Sequence, residues 1–128
     1  MERAQTAPDS GRRTALRDAW QAERDAARSA RAAGDPAAEW HHLERAHILS
    51  QPLAGPHLKT HADMLGAAGR RRDAREVVGQ LLRLVLAVPG SLTGRYPVGN
   101  TGGADVSAFR PMPIPGDLRA LLTTGADA

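Results

Sequence analysis

Between residues 12 and 88 the chain is a run of strong helix formers, chiefly Ala, Arg, Glu and Leu, cut into lengths by Gly and Pro. Leu16, Ala19, Trp20, Ala26, Ala27 and Ala30 fall near helical spacing and predict a helix over about 12–33, ended by Gly34. Asp35-Pro36 is a start signal, a side-chain acceptor followed by a proline whose fixed φ suits the first helical turn. A second helix is therefore expected over about 36–51. Pro52, Gly55 and Pro56 mark a short turn, and a third helix runs from Pro56 to near Ala68 with Gly69 as its cap. The fourth covers about 71–88. Its stripe of Ala74, Val77, Val78, Leu81, Leu82, Val85 and Val88 is the strongest in the chain, and Pro89-Gly90 stops it.

The expected fold is all-α, about four helices as two stacked antiparallel helical hairpins. Gly34 and Gly69 stand 35 residues apart, a period similar to that of tetratricopeptide repeats. From residue 89 onward the composition changes, with five of the nine prolines and seven of the thirteen glycines. This Pro/Gly-rich segment, 89–128, is too long for a plain loop. It carries Tyr96, Val98, Val106, Phe109, Met112 and Ile114, so it is expected to wrap back over the helices. Gly116-Asp117 would cap a last short helix over Leu118 to Leu122. Residues 1–10 read as a flexible tail and 11–128 as one helical domain, a size that can bury a core unaided.

The absence of cysteine excludes disulfides, thiolate metal sites and cysteine nucleophiles. No apolar run approaches the ~20 residues of a membrane span, and the N-terminus lacks the apolar stretch of a signal peptide. A cytoplasmic protein is expected, and Lys59, the one lysine in an otherwise all-Arg set of cations, suggests a bacterial one. The net charge of +3 is mild, and four aromatic side chains leave little for bases to stack on. Nucleic acid is thus an unfavoured partner. The run Arg70-Arg71-Arg72 with Arg75 reads as a solvated inter-helix turn. Gly99-Asn100-Thr101-Gly102-Gly103 lacks a Walker lysine and reads as a turn.

Chemistry concentrates in one 23-residue window holding Glu39, His41, Glu44, His47, His57 and His61. At 100° per residue, Trp40, Leu43, Glu44, His47 and Ile48 share one side of the second helix. His41 lies at its edge, and His42 and Arg45 point away. On the third helix His57 and His61 share a face with Leu58, Met64, Leu65 and Ala68, away from Lys59 and Asp63. Ligand-type residues on a side meant for burial break the binary pattern, as functional sites do. A short turn makes the two helices antiparallel, so His47 falls level with His57 and Glu44 with His61. The four form a square, i, i+3 on one helix and i, i+4 on the other. His41 would be a fifth ligand or a partner behind the ligands.

Three imidazoles and a carboxylate suit Zn, Fe, Ni, Co or Cu. If Glu44 is not a ligand, an open position remains for water or a small-molecule substrate, with Glu44 as general base. A bland reading also fits these residues: His47 or His41 bonded to Glu44 as a structural pair. Trp20 and Trp40 read as core anchors.

The run Trp40-His41-His42-Leu43-Glu44-Arg45-Ala46-His47-Ile48-Leu49-Ser50-Gln51, followed by His57 and His61, resembles a family of short bacterial proteins labelled only as a domain of unknown function. So do Gly99-Asn100-Thr101-Gly102, Ser107-Ala108-Phe109 and the stretch from Pro111 to Leu118. The resemblance transfers no activity, but it implies that the Pro/Gly segment belongs to the folded unit. The reading is a small metal-binding helical protein, either a metal-dependent enzyme or a metal-handling factor. Two rivals stand beside it. One is a tetratricopeptide-like interaction module with a protein partner or a second copy of itself. The other is a haem protein with His47 or His61 as axial ligand, which few aromatic residues are available to line.

Overall fold

The computed structural model describes residues 10–93, 103 and 111–123, with the side chains of 85–93 outside that description. The described residues form five helices and no strand: α1 Ser10–Ala32, α2 Pro36–Ser50, α3 Ala54–Arg70, α4 Ala74–Thr93 and α5 Gly116–Thr123. α1 packs most extensively on α2 and α3 on α4, with α2 and α3 in contact between them.

Two of the three connections among α1–α4 are built alike. At the end of α1, Gly34 donates to the Arg31 carbonyl and Asp35 to that of Ala30. At the end of α3, Arg72 donates to Gly69 and Asp73 to Ala68. This is the Schellman arrangement, which needs a left-handed residue just past the helix. Gly34 has φ +73° and Arg72 has φ +57°. Each motif runs straight into an N-cap. Asp35 Oδ1 accepts from the Ala38 N–H at 3.0 Å and Asp73 Oδ1 from the Glu76 N–H at 3.1 Å. The two turns thus correspond as Gly34-Asp35 and Arg72-Asp73. Gly69, expected as the cap of α3, lies inside the helix, because the turn places Arg72 at the strained position.

Two other boundaries differ from expectation. α3 begins at Ala54, ahead of Pro56, which the first turn tolerates because its N–H would be unpaired there anyway. α4 runs through Pro89-Gly90 to Thr93. Proline removes one hydrogen bond, and so close to the helix end little structure depends on it.

The core has two parts. Leu16, Trp20, Ala46, Ile48, Leu49, Leu53, Leu118 and Leu122 form one, with Ile114 packed against it. Ala27, Leu43, Met64 and Ala67 form the other, flanked by Trp40. α5 therefore returns to α1 and α2, as its apolar residues required. Arg45 of α2 ties it there, pairing with both Glu23 of α1 and Asp117 of α5, and this guanidinium holds the Asp117 carboxyl below its usual range. Within 111–115, Met112 and Ile114 are half-buried while Pro111, Pro113 and Pro115 are exposed, the alternation of an extended chain. Of the expected tail 1–10, Ser10 instead opens α1, and residues 1–9 lie outside the described residues, as do Tyr96, Val98, 99–102, Val106 and Phe109.

Of the apolar stripe of α4, Val85 and Val88 lie outside the described side chains. Val78, Leu81 and Leu82 are 58%, 50% and 64% exposed, while Glu76, Gln80 and Arg83 are buried. Among its described side chains, the inward face of this helix is polar.

Candidate metal centre

His47 sits in the last turn of α2, and His57 and His61 lie one turn apart at the start of α3. Leu53 makes the connection rigid. It is buried, its N–H donates to the Ser50 carbonyl at 2.7 Å, and its carbonyl accepts from the His57 N–H at 2.8 Å. Thr60 sets the rotation of α3, donating to the Pro56 carbonyl and accepting the Trp20 indole N–H, both at 2.8 Å. The rings of His57 and His61 are thereby turned toward α2.

The three Nε2 atoms form an equilateral triangle. His47–His57, His47–His61 and His57–His61 are each 3.1 Å apart. All three side chains are buried. Burial, with the charge of His61 beside it, pushes the pKa of His57 down to about 3. Burial also lowers His61 to about 4; the Gln80 bond opposes this and the positive Arg83 adds to it. Both rings are neutral near pH 7, which leaves each with a lone pair to offer.

Neutral imidazole carries one N–H and one acceptor nitrogen. His61 Nδ1 lies 2.7 Å from Gln80 Oε1, an acceptor, so its proton belongs on Nδ1 and its Nε2 is bare. At most two protons, from His47 and His57, can then enter the triangle. Three Nε2 contacts cannot all be hydrogen bonds, and at least one brings like against like. An ion removes this conflict, because it accepts all three lone pairs at once.

The triangle also has the right size. With bonds of ~2.0–2.1 Å, three ligands of a tetrahedral ion lie about 3.3–3.4 Å apart, and three on one face of an octahedral ion about 2.8–3.0 Å. The observed 3.1 Å falls between them. Within the described residues, these three are the group of His, Asp or Glu side chains with ligand atoms all within 4.8 Å of one another.

The other expected residues lie elsewhere. Glu44 is half-buried and stands outside that group of three. His41 is exposed. His42, expected to point away, is half-buried with Nδ1 2.7 Å from Glu23 Oε2, because α1 covers that side of α2. Asp63, also expected to point away, pairs with Arg24 of α1 at 2.6 Å. Leu58, assigned to the buried face, is exposed. Glu39 is buried and paired with Arg70 at 3.0 Å. Arg71 stacks on Trp40 at 4.5 Å, so the arginine run dresses the α3–α4 turn as expected.

Sequence reasoning missed Gln80 and Glu76. Gln80 is fully buried against His61, and its Nε2 donates to Glu76 Oε2 at 3.2 Å. Glu76, Gln80 and Arg83, at i, i+4 and i+7, were the available signal, a polar stripe on an otherwise apolar helix.

No described helix is long and apolar enough to cross a membrane. Comparison with curated proteins and with solved structures finds no match in either. A family profile described as "Protein of unknown function (DUF3703)" matches residues 14–122, most of the chain. The chain, with its buried three-histidine triangle, belongs to the DUF3703 family.

Proposed function

We propose that the protein binds one transition-metal ion through Nε2 of His47, His57 and His61. The observation that carries this reading is the 3.1 Å triangle itself, whose three contacts cannot all be hydrogen bonds and whose size suits an ion. Imidazole donors suit Zn, Fe, Ni, Co or Cu. Three protein ligands leave at least one coordination position for water or a small molecule, as catalytic zinc sites do. A metal at such a position lowers the pKa of bound water. Glu44, one turn before His47, is the carboxylate we assign to that open side, as fourth ligand or as base. His41, one turn further back and exposed, is the more distant candidate. A cytoplasmic metal-dependent enzyme and a metal-handling factor are the two forms this proposal takes.

The triangle does not favour haem, whose iron takes imidazoles on opposite faces of a wide ring. A second reading, a tetratricopeptide-like interaction module, draws support from the exposed Val78, Leu81 and Leu82.

Elemental analysis of untagged protein tests the first reading. About one metal per chain is expected, lost in His47→Ala, His57→Ala and His61→Ala and retained in His42→Ala, whose ring binds Glu23 instead. Metal-free protein that takes up no zinc, cobalt, nickel, copper or iron would end the proposal.

A further inference from the structure

We infer that Gln80 and Glu76 of α4 form an outer layer of the metal centre, with Gln80 as the positioning residue that locks His61 in its metal-ready tautomer. The inference rests on the metal reading. It begins at Glu76, a buried side chain. As a carboxylate, Glu76 only accepts hydrogen bonds, so Gln80 presents its NH₂ group to it at 3.2 Å. That fixes the amide the other way round at its far end, where Oε1 meets His61 Nδ1 at 2.7 Å. The amide oxygen cannot donate, so Nδ1 carries the proton. Nε2 of His61 is left with its lone pair aimed into the triangle, 3.1 Å from each of the other two.

The chain of consequence thus runs from a carboxylate on α4 through an amide to a ligand nitrogen on α3. Histidine ligands are commonly held in this way, with the second nitrogen bonded to a group that sets ring orientation and basicity. It also accounts for the outward turn of the described apolar side chains of α4. Gln80 has no solvent exposure, while Val78, Leu81 and Leu82 face outward. A helix with that apolar stripe would be expected to turn it inward. Presenting Glu76 and Gln80 to His61 requires the opposite rotation.

The test uses the full chain, ¹⁵N-labelled and stripped of metal. Long-range ¹H–¹⁵N correlation at pH 7.5 should find His61 protonated on Nδ1 in the wild type. Gln80→Leu, close in volume but without the acceptor, should release the ring to a mixture of tautomers. It should also weaken Co²⁺ binding by about 10–100-fold. Gln80→Glu keeps an acceptor facing Nδ1 and, with one proton shared between its carboxyl and that of Glu76 in place of the lost NH₂, should preserve the tautomer and the cobalt absorption spectrum. Should Gln80→Leu fail to fold, the wild-type tautomer and the Gln80→Glu spectrum still decide the matter. A wild-type His61 protonated on Nε2 overturns the inference, as does Gln80→Leu binding Co²⁺ with wild-type affinity and spectrum. Wild-type chain that takes up no cobalt overturns the metal reading, and this inference with it.

Discussion

At residue scale, two kinds of strain are built in. The first is ionic. His57 and His61 have folded-state pKa values of about 3 and about 4, below the ordinary 6.5. In the unfolded chain both take up protons as pH falls through 6.5, while in the metal-free folded chain they resist until about 4 and about 3. The unfolded state therefore binds more protons across that window, and stability falls on acidification. Each group contributes a slope of up to about 1.4 kcal/mol per pH unit. Urea midpoints of metal-free protein should decline between pH 6.5 and 4, and His57→Gln should flatten the decline. A wild-type midpoint constant over that range would show that the rings are not buried neutral. The second strain is in the backbone. Arg72, exposed at φ +57°, occupies the position that Gly34 fills in the matching turn. Non-glycine residues are strained there. Arg72→Gly should stabilise by about 0.5–1 kcal/mol, roughly 2–4 °C in melting temperature, and Gly34→Ala should destabilise by a similar amount.

At the scale of elements, the sequence was most readable where local chemistry dictates structure. Asp35-Pro36 started α2 where expected, and Gly116-Asp117 opened α5. The repeat register was read from the wrong glycine, because Gly34 corresponds to Arg72, and no sequence rule singles out an arginine as a left-handed residue. The facing of α4 was not legible. Periodicity shows that a helix has two unlike faces, and the usual inference sends the apolar one inward. That fails when the neighbour presents polar side chains, as α3 does here with His61 bonded to Gln80. The meeting of the three histidines was legible from i, i+4 spacing and a short turn, whereas the place of Glu44 outside their cluster was not. Side-chain reach across the helix pair decides that, and spacing along one helix does not carry it. The orientation of α4 gives a contrast to measure. Leu82→Gln, on the outer face, should change stability by less than about 0.5 kcal/mol. Leu49→Ala, with no exposure in the first core cluster, should cost about 2–5 kcal/mol. A large penalty at Leu82 would mean that this face is covered in solution.

At the scale of the whole molecule, the candidate centre joins helices that the core holds less completely. The first core cluster draws on α1, α2 and α5, and the second on α1, α2 and α3, while α4 packs on α3. A metal bound by His47 of α2 and by His57 and His61 of α3, with Gln80 of α4 behind, ties the two helix pairs at a buried point. Because only the folded chain assembles the triangle, binding should stabilise by RT ln(1 + [L]/Kd), about 2.7 kcal/mol when the free metal is 100-fold above Kd. For a chain of this length that is roughly 10 °C in melting temperature. The gain should disappear in His47→Ala, His57→Ala and His61→Ala alike, since each removes one corner. In chelator the ordering should compress. There the wild type carries its unresolved contact among three nitrogens, and a variant lacking one ring is relieved of it, offsetting part of the cavity it leaves. A fall in stability on mutation as large in chelator as in saturating zinc would show that the three rings serve as packing, with no ion contributing to the fold.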